Sequence, residues 1–123
     1  MKKLLVSVIL SVTLSIAGQI QDLSKSVKIW GAVANIQDNH LVITTPQNRV
    51  NNKIFQSIIQ NGICMHSYFT PNLLNGIQDI YVMNKYNRQG YVLEGSSDVC
   101  AKIGNMKDDN KVKLYLMSKS HMY

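Results

Sequence analysis

Residues 50–64 read VNNKIFQSIIQNGIC, and the apolar side chains in this stretch recur at helical spacing. That spacing places them along one face of an α-helix, with asparagine, lysine and glutamine on the other side. Asn48 is a suitable N-cap residue, and Pro71 prevents the helix from continuing much further. The sequence therefore predicts an amphipathic helix over residues 50–64, whose apolar face needs a sheet to cover it.

Segments with strand character lie on both sides of this helix. Residues 41–45 are rich in β-branched side chains, and residues 77–83 and 91–94 flank a turn-rich connection. Residues 111–116 alternate between the two sides of an extended chain, which is typical of a half-buried strand. Short connections favour antiparallel neighbours. We therefore expect an α+β fold with a small, mainly antiparallel sheet of about three to five strands and one amphipathic helix packed on it.

The remaining segments carry weaker patterns. Residues 19–28 are polar, and we expect them to be loosely held. Residues 27–33 surround the single tryptophan, Trp30, and their pattern fits either a strand or a short helix. A short helix is predicted around residues 99–103, and residues 118–123 are expected to form a frayed tail.

The beginning of the chain has the composition of a leader for export. Lys2 and Lys3 precede a mainly apolar run, and Ser15 and Ala17 place small side chains before a cleavage site at Gly18. The apolar run has about fourteen residues, fewer than the ~20 that span a bilayer core. A cleaved signal peptide is therefore a better interpretation than a transmembrane anchor.

This leader predicts both the domain organisation and the location of the protein. Residues 1–17 form the signal peptide, and residues 18–123 form a single domain with no stable membrane span in the mature chain. The compact leader is similar to bacterial signal peptides. We therefore expect a periplasmic or secreted protein, folded in an oxidising compartment.

The two cysteines, Cys64 and Cys100, are expected to form one disulfide. An even cysteine count in a small exported protein favours pairing, and the bond would join the end of the predicted helix to the far side of the sheet. A thiol–disulfide enzyme would usually present closely spaced cysteines such as C-x-x-C, which this sequence lacks.

Cys64, His66 and Cys100 also suggest a rival hypothesis, a small envelope enzyme or a metal or redox protein. Zinc sites normally have paired ligands at both ends, and this sequence has only one such pair. Two residues at positions i and i+2 of a helix point to different faces, which disfavours a Cys64–His66 dyad. Pairing of the cysteines would remove the site. We therefore expect neither a metal nor another cofactor.

The connection before the second of the paired strands is the candidate partner-binding region. It combines aromatic with basic side chains, at Lys85, Tyr86, Arg88 and Tyr91. Aromatic and basic residues in a loop often form the centre of a protein interface. The competing interpretation is that these tyrosines cover a half-buried sheet face.

Composition and charge narrow the possible functions. The formal charge of +6 falls to +4 without Lys2 and Lys3, and the remaining lysines are spread singly, so nucleic-acid binding is not expected. No acid–base pair or phosphate-binding loop is recognisable.

The sequence thus favours a non-enzymatic module that binds a protein partner in the bacterial envelope, as an inhibitor, immunity protein or accessory subunit. A third hypothesis is a cationic surface protein that binds nucleic acid or an anionic polymer of the envelope. The oligomeric state and the partner's identity stay open.

Overall fold

The computed structural model describes residues 18–123, and within that range the chain forms a five-stranded sheet. The strands follow one another across the sheet in chain order. Neighbours are antiparallel except for the second and third, which are parallel. The predicted signal peptide, residues 1–17, lies outside the described residues. The strands are β1 (Val33–Gln37), β2 (His40–Thr44), β3 (Asp79–Met83), β4 (Gly90–Leu93) and β5 (Ser120–Met122).

The helices of residues 18–123 complete an α+β fold, as expected. Residues 18–27 form α1, which runs into the short 3-10 helix Lys28–Trp30. The remaining helical elements are α2 (Asn52–Ser57), the π-helix Ile58–Cys64, α3 (Met65–Phe69), α4 (Ser97–Ile103) and α5 (Asp109–Ser118). The elements from α2 to α3 are continuous, and we call them the central helix (residues 52–69).

The central helix explains why one strand pair is parallel. It connects β2 to β3 and returns the chain to the end of the sheet where β2 began, as a helical crossover between parallel strands must. Its first turn is capped by Asn51, whose side-chain oxygen accepts a hydrogen bond of 2.8 Å from the N–H of Ile54. The predicted cap, Asn48, lies one turn too early. The helix also extends past Cys64 to Phe69.

The helices pack on one face of the sheet. In β2 and β3, Leu41, Ile43, Ile80 and Val82 are 0% exposed and belong to a single core cluster with the buried helical side chains. Each side chain of this size contributes ~1.5–3 kcal/mol through burial. Helical members of the cluster include Leu23, Val27, Phe55, Ile58, Ile59, Ile63, Val99, Ile103, Val112 and Leu116.

The predicted disulfide is present between Cys64 and Cys100, with a distance of 2.05 Å between the sulfur atoms. It joins the end of the π-helix to α4, so it links two helices on the same face of the sheet. The hydroxyl of Tyr68 donates a hydrogen bond of 2.6 Å to the carbonyl oxygen of Cys100. Partial burial raises the pKa of Tyr68, which keeps the hydroxyl protonated as a donor.

The N-terminal part of the domain is more ordered than its composition indicates. Residues 19–28, expected to be loose, lie mainly in α1, where Leu23 and Val27 are 0% exposed. These two apolar residues stand four positions apart, so one stripe anchors an otherwise polar helix. Residues 27–33, whose pattern fitted either a strand or a short helix, contain the end of α1, the 3-10 helix and the beginning of β1.

The strand predicted over residues 111–116 is wrong, because this segment lies in α5. Val112 and Leu116 are buried, whereas Leu114 between them is 71% exposed. Positions i, i+2 and i+4 share one face of a strand, but i and i+4 also share a helix face. The carboxylate of Asp108, which accepts a hydrogen bond of 2.9 Å from the N–H of Asn110, caps the helix.

The tail predicted over residues 118–123 is also wrong, because it contains strand β5. This strand pairs with β4, and further hydrogen bonds extend the pairing at both ends. The N–H of Glu94 donates to the carbonyl oxygen of Lys119 at 2.7 Å, and the N–H of Tyr123 donates to that of Gly90 at 3.0 Å. The C-terminal residues therefore form the edge of the sheet.

Candidate functional site

The predicted partner-binding region centres on the β3–β4 connection (residues 84–89). Asn84 is buried at its base, and its side-chain oxygen accepts hydrogen bonds from the N–H groups of Arg88 and Gln89, at 2.9 and 3.2 Å. Its amide nitrogen donates to the carbonyl oxygen of Asn48 at 2.9 Å. A single buried amide thus folds the connection and attaches it to the loop that follows β2.

Two loops at this end of the sheet are held together along their length. The amide of Gln89 accepts from the N–H of Val50 at 2.7 Å and donates to the carbonyl oxygen of the same residue at 2.8 Å. The N–H of Lys85 donates to the carbonyl oxygen of Gln47 at 2.9 Å. Because every one of these bonds involves backbone, the β3–β4 connection has a defined shape despite its turn-rich composition.

The structure separates the four predicted binding residues into two places. Tyr86 is 61% exposed, the ammonium of Lys85 lies 5.1 Å from the centre of its ring, and Arg88 is also exposed. Tyr91 instead stacks on Phe55 at a centroid distance of 5.2 Å, against the central helix. Lys85, Tyr86 and Arg88 therefore share a surface that does not include Tyr91.

The opposite side of the sheet carries a second candidate surface. Within residues 18–123, the core cluster takes its strand side chains from one face only, and no helix packs on the other. We call this other side the open face. Its side chains alternate with those of the core cluster, and two of them, Met83 and Val92, are themselves buried. The open face includes Asn35, Gln37, His40, Val42, Thr44, Asp79, Tyr81, Met83, Val92 and His121.

Three aromatic rings form a cluster in the middle of the open face. His40 and Tyr81 meet edge to face at a centroid distance of 5.5 Å, and Tyr81 meets Tyr123 in the same way at 6.1 Å. This ring cluster borders a shallow cavity of about 240 Å³, whose other walls include Gln37, Val42, Met83 and Asn87. Rings held edge to face keep a fixed arrangement, so they offer a rigid apolar platform with polar edges.

A hydrogen bond joins the open face to the β3–β4 connection. The hydroxyl of Thr44, on β2, donates to the side-chain oxygen of Asn87 at 2.8 Å. Asn87 adopts a positive φ of 55°, which asparagine tolerates better than most residues and which turns the connection toward β2. Asn87, which follows Tyr86 in the chain, therefore lines the cavity beside the ring cluster.

Two histidine–carboxylate pairs lie on or beside the open face. The Nδ1 atom of His40 is hydrogen-bonded to Asp79 on the adjacent strand, and Nδ1 of His121 lies 3.1 Å from Glu94. A carboxylate at Nδ1 fixes the orientation and tautomer of an imidazole. The pairs therefore give this surface hydrogen-bonding groups that are held in place.

At the rival site, Cys64, His66 and Cys100 all make contacts that stabilise the fold. Both sulfur atoms are bonded to each other and the two cysteines are almost fully buried. Nδ1 of His66 lies 2.8 Å from the carbonyl oxygen of Gly62, one helical turn earlier. The two cysteines therefore present no thiolate for metal binding or catalysis while the disulfide is intact.

Sequence reasoning missed the ring cluster because its members come from distant segments. His40 lies just before the strand predicted over residues 41–45 and Tyr123 lies in the predicted tail, whereas both rings flank Tyr81 in the folded sheet. Alternation in the two strands was the available signal, since His40, Val42 and Thr44 share one side of β2, as Tyr81 and Met83 share one side of β3.

Broader comparisons add no relative from which a site could be transferred. No protein-family model, curated protein or solved structure matches this chain. Across residues 18–123, no helix has both the length and the apolar character needed to cross a bilayer, and no three side chains of histidine, cysteine, aspartate or glutamate converge as metal ligands would. The function must therefore be inferred from the surfaces themselves.

Proposed function

We propose that this protein is a small exported bacterial protein that acts as a non-enzymatic protein-binding module in the envelope, of the inhibitor, immunity or accessory-subunit type. Its binding surface is the open face together with Lys85, Tyr86 and Arg88 of the β3–β4 connection. The observation that supports this proposal is the ring cluster on a sheet face that no described helix covers.

The shape of this surface favours a macromolecular partner. The cavity beside the ring cluster holds about 240 Å³ and is shallow, whereas small-molecule sites usually enclose ~300–1,000 Å³ and bury most of their ligand. A broad sheet face is suited to a protein surface of comparable width. Tyrosine and arginine are also enriched among the residues that dominate binding energy in protein interfaces.

The rigidity of the surface lowers the cost of binding. Tyr81 lies on a central strand, and Asn84 and Gln89 hold the β3–β4 connection through hydrogen bonds to backbone groups. Little conformational freedom is lost when such a surface meets its partner. A rigid aromatic platform beside an exposed pair of side chains, Lys85 and Tyr86, is a good arrangement for specific recognition.

The location proposed for the protein rests on the leader and the cysteines. Residues 1–17 have the pattern of a signal peptide. Disulfides persist in oxidising compartments such as the periplasm, so the Cys64–Cys100 bond agrees with export. The rival hypothesis, an envelope enzyme or metal or redox protein using Cys64, His66 and Cys100, would require the buried disulfide to be reduced first.

Site-specific photo-crosslinking in the native bacterium tests the proposed surface. A benzophenone amino acid replaces Tyr81 on the open face or Tyr86 on the connection, and Leu114 serves as the control because it is exposed on the helical side. We expect both test positions, but not Leu114, to crosslink one discrete envelope protein. Tyr81→Ala should then compete poorly with wild-type protein for that partner. Crosslinks from Leu114 alone, or from no position, would contradict the proposal.

A further inference from the structure

A separate basic groove lies on the helical side of the sheet, near the beginning of the central helix. It has a volume of about 510 Å³. Arg49 contributes from the loop after β2, Lys53 and Gln56 from α2, Tyr91 from β4 and Lys113 from α5. None of the residues that line it is acidic. Elements distant in the sequence thus bring three cations to one concave surface.

These three cations have no carboxylate partner within the described part of the chain. Both ion pairs of residues 18–123 are formed by histidines, so Arg49, Lys53 and Lys113 lie more than 4.0 Å from any described acidic oxygen. Asp109 borders a neighbouring groove that Lys53 and Gln56 also line, and its side chain accepts a hydrogen bond from Gln60 at 3.3 Å. Like charges gathered around one groove repel, and a bound anion would relieve that repulsion.

The backbone on both sides of Arg49 is held in place. The carbonyl oxygen of Asn48 accepts a hydrogen bond from Asn84, and both backbone groups of Val50 are bonded to the side chain of Gln89. The guanidinium therefore extends from an ordered segment rather than from a mobile loop. Less ordering is required when such a group binds a ligand.

We propose that this groove binds a phosphate group. A guanidinium can donate two parallel hydrogen bonds to phosphate oxygens, and the two ammonium groups add compact positive charges. The amides of Asn51 and Asn52 line the groove as neutral donors, and Tyr91 offers a ring for the organic part of the ligand. This site is distinct from the protein-binding surface proposed above, since Tyr91 lies on the face that packs against the central helix.

Titration of the exported protein with inorganic phosphate and with vesicles tests this site and identifies the source of the phosphate. Binding of phosphate is followed calorimetrically at constant ionic strength, with chloride as the reference anion. Vesicles of phosphatidylcholine, with and without phosphatidylglycerol, form the second arm. Binding to phosphate alone indicates a soluble ligand, and binding only to vesicles that contain phosphatidylglycerol indicates a lipid headgroup.

Matched charge-removing variants decide whether the groove is responsible. We expect Arg49→Gln to weaken binding about tenfold, because a charge-assisted pair is lost, and Lys113→Gln to weaken it by a smaller factor. Lys107→Gln removes an exposed lysine outside the groove and should leave binding unchanged. Circular dichroism checks that each variant is folded.

Two results would overturn the phosphate site. The first is an equal loss of binding in Lys107→Gln and Arg49→Gln, which would show attraction to net charge only. The second is the absence of binding in both arms. The outcome is independent of the protein-binding proposal, because Tyr81→Ala on the open face should bind phosphate as the wild type does.

Discussion

Alternate positions of the same strands carry very different side chains, which point to the two faces of the sheet. In β3, Ile80 and Val82 are 0% exposed beneath the helices, while Tyr81 between them is half-buried on the open face beside His40. The helical side therefore holds the main apolar core, and the open face holds polar and aromatic groups together with two buried apolar side chains, Met83 and Val92. This division implies that stability and recognition can be changed separately.

The largest effect is expected from a substitution in the core. Ile58→Ala removes a fully buried side chain of the central helix and should lower the free energy of unfolding by ~2–5 kcal/mol. Leu114→Ala is the matched control, because this helical leucine is 71% exposed and should change stability by less than ~0.5 kcal/mol. Urea denaturation measures both. Similar losses in the two variants would show that burial does not separate these positions.

Loss of the disulfide is the next largest change, and it also affects only the helical side. Cys64→Ser and Cys100→Ser should each lower the free energy of unfolding by ~2–4 kcal/mol, since both remove the same crosslink. The double variant should be no less stable than the worse single variant. Clearly additive losses in urea denaturation would mean that the two side chains act independently.

The elements that the sequence predicted well are those with one dominant physical constraint. The disulfide followed from an even cysteine count in a chain predicted to be exported, and the central helix followed from a strong apolar stripe. In contrast, residues 111–116 satisfied two periodicities at once, because Val112 and Leu116 share a side in either structure. The capping carboxylate of Asp108 was the signal that favours the helix.

The open face could not be read from the sequence for a different reason. Alternation shows that a strand has two sides, but it does not show whether helices cover one or both of them. That depends on the position of every helix, including α1 and α5, which the sequence patterns did not reveal. Register between β2, β3 and β5 then decided which rings meet. The roles of Lys85, Tyr86 and Arg88 stay predictions.

A smaller loss is expected at Gly62, where α1 and the central helix approach closely. A Cβ atom at this position would come within 2.9 Å of the ring of Trp30 and 3.1 Å of the carbonyl oxygen of Ser26. Gly62→Ala should therefore destabilise the protein by ~1–3 kcal/mol. Gly18→Ala is the control, because a Cβ there meets no atom within 4 Å. Fluorescence of the single tryptophan should change in Gly62→Ala only, and an unchanged spectrum and stability would refute the close packing.

The smallest effect is a pH-dependent change in stability that arises from Asp98, a residue of α4 on the helical side of the sheet. The N–H of Ser96 donates a hydrogen bond of 2.9 Å to Asp98 at the start of α4, and this contact is the main cause of a lowered pKa for that carboxyl. Because the folded pKa lies below the unfolded value of about 3.9, the carboxylate stabilises the fold above that pH. The contribution is lost as the pH falls toward the folded pKa.

Asp98→Asn should thus be less stable than wild type near neutral pH. The difference should be less than about 1 kcal/mol because the group is largely exposed, and it should shrink below about pH 4. Urea denaturation across this range provides the measurement. A difference that stays constant with pH would show that Asp98 acts through its hydrogen bonds alone and not through its charge.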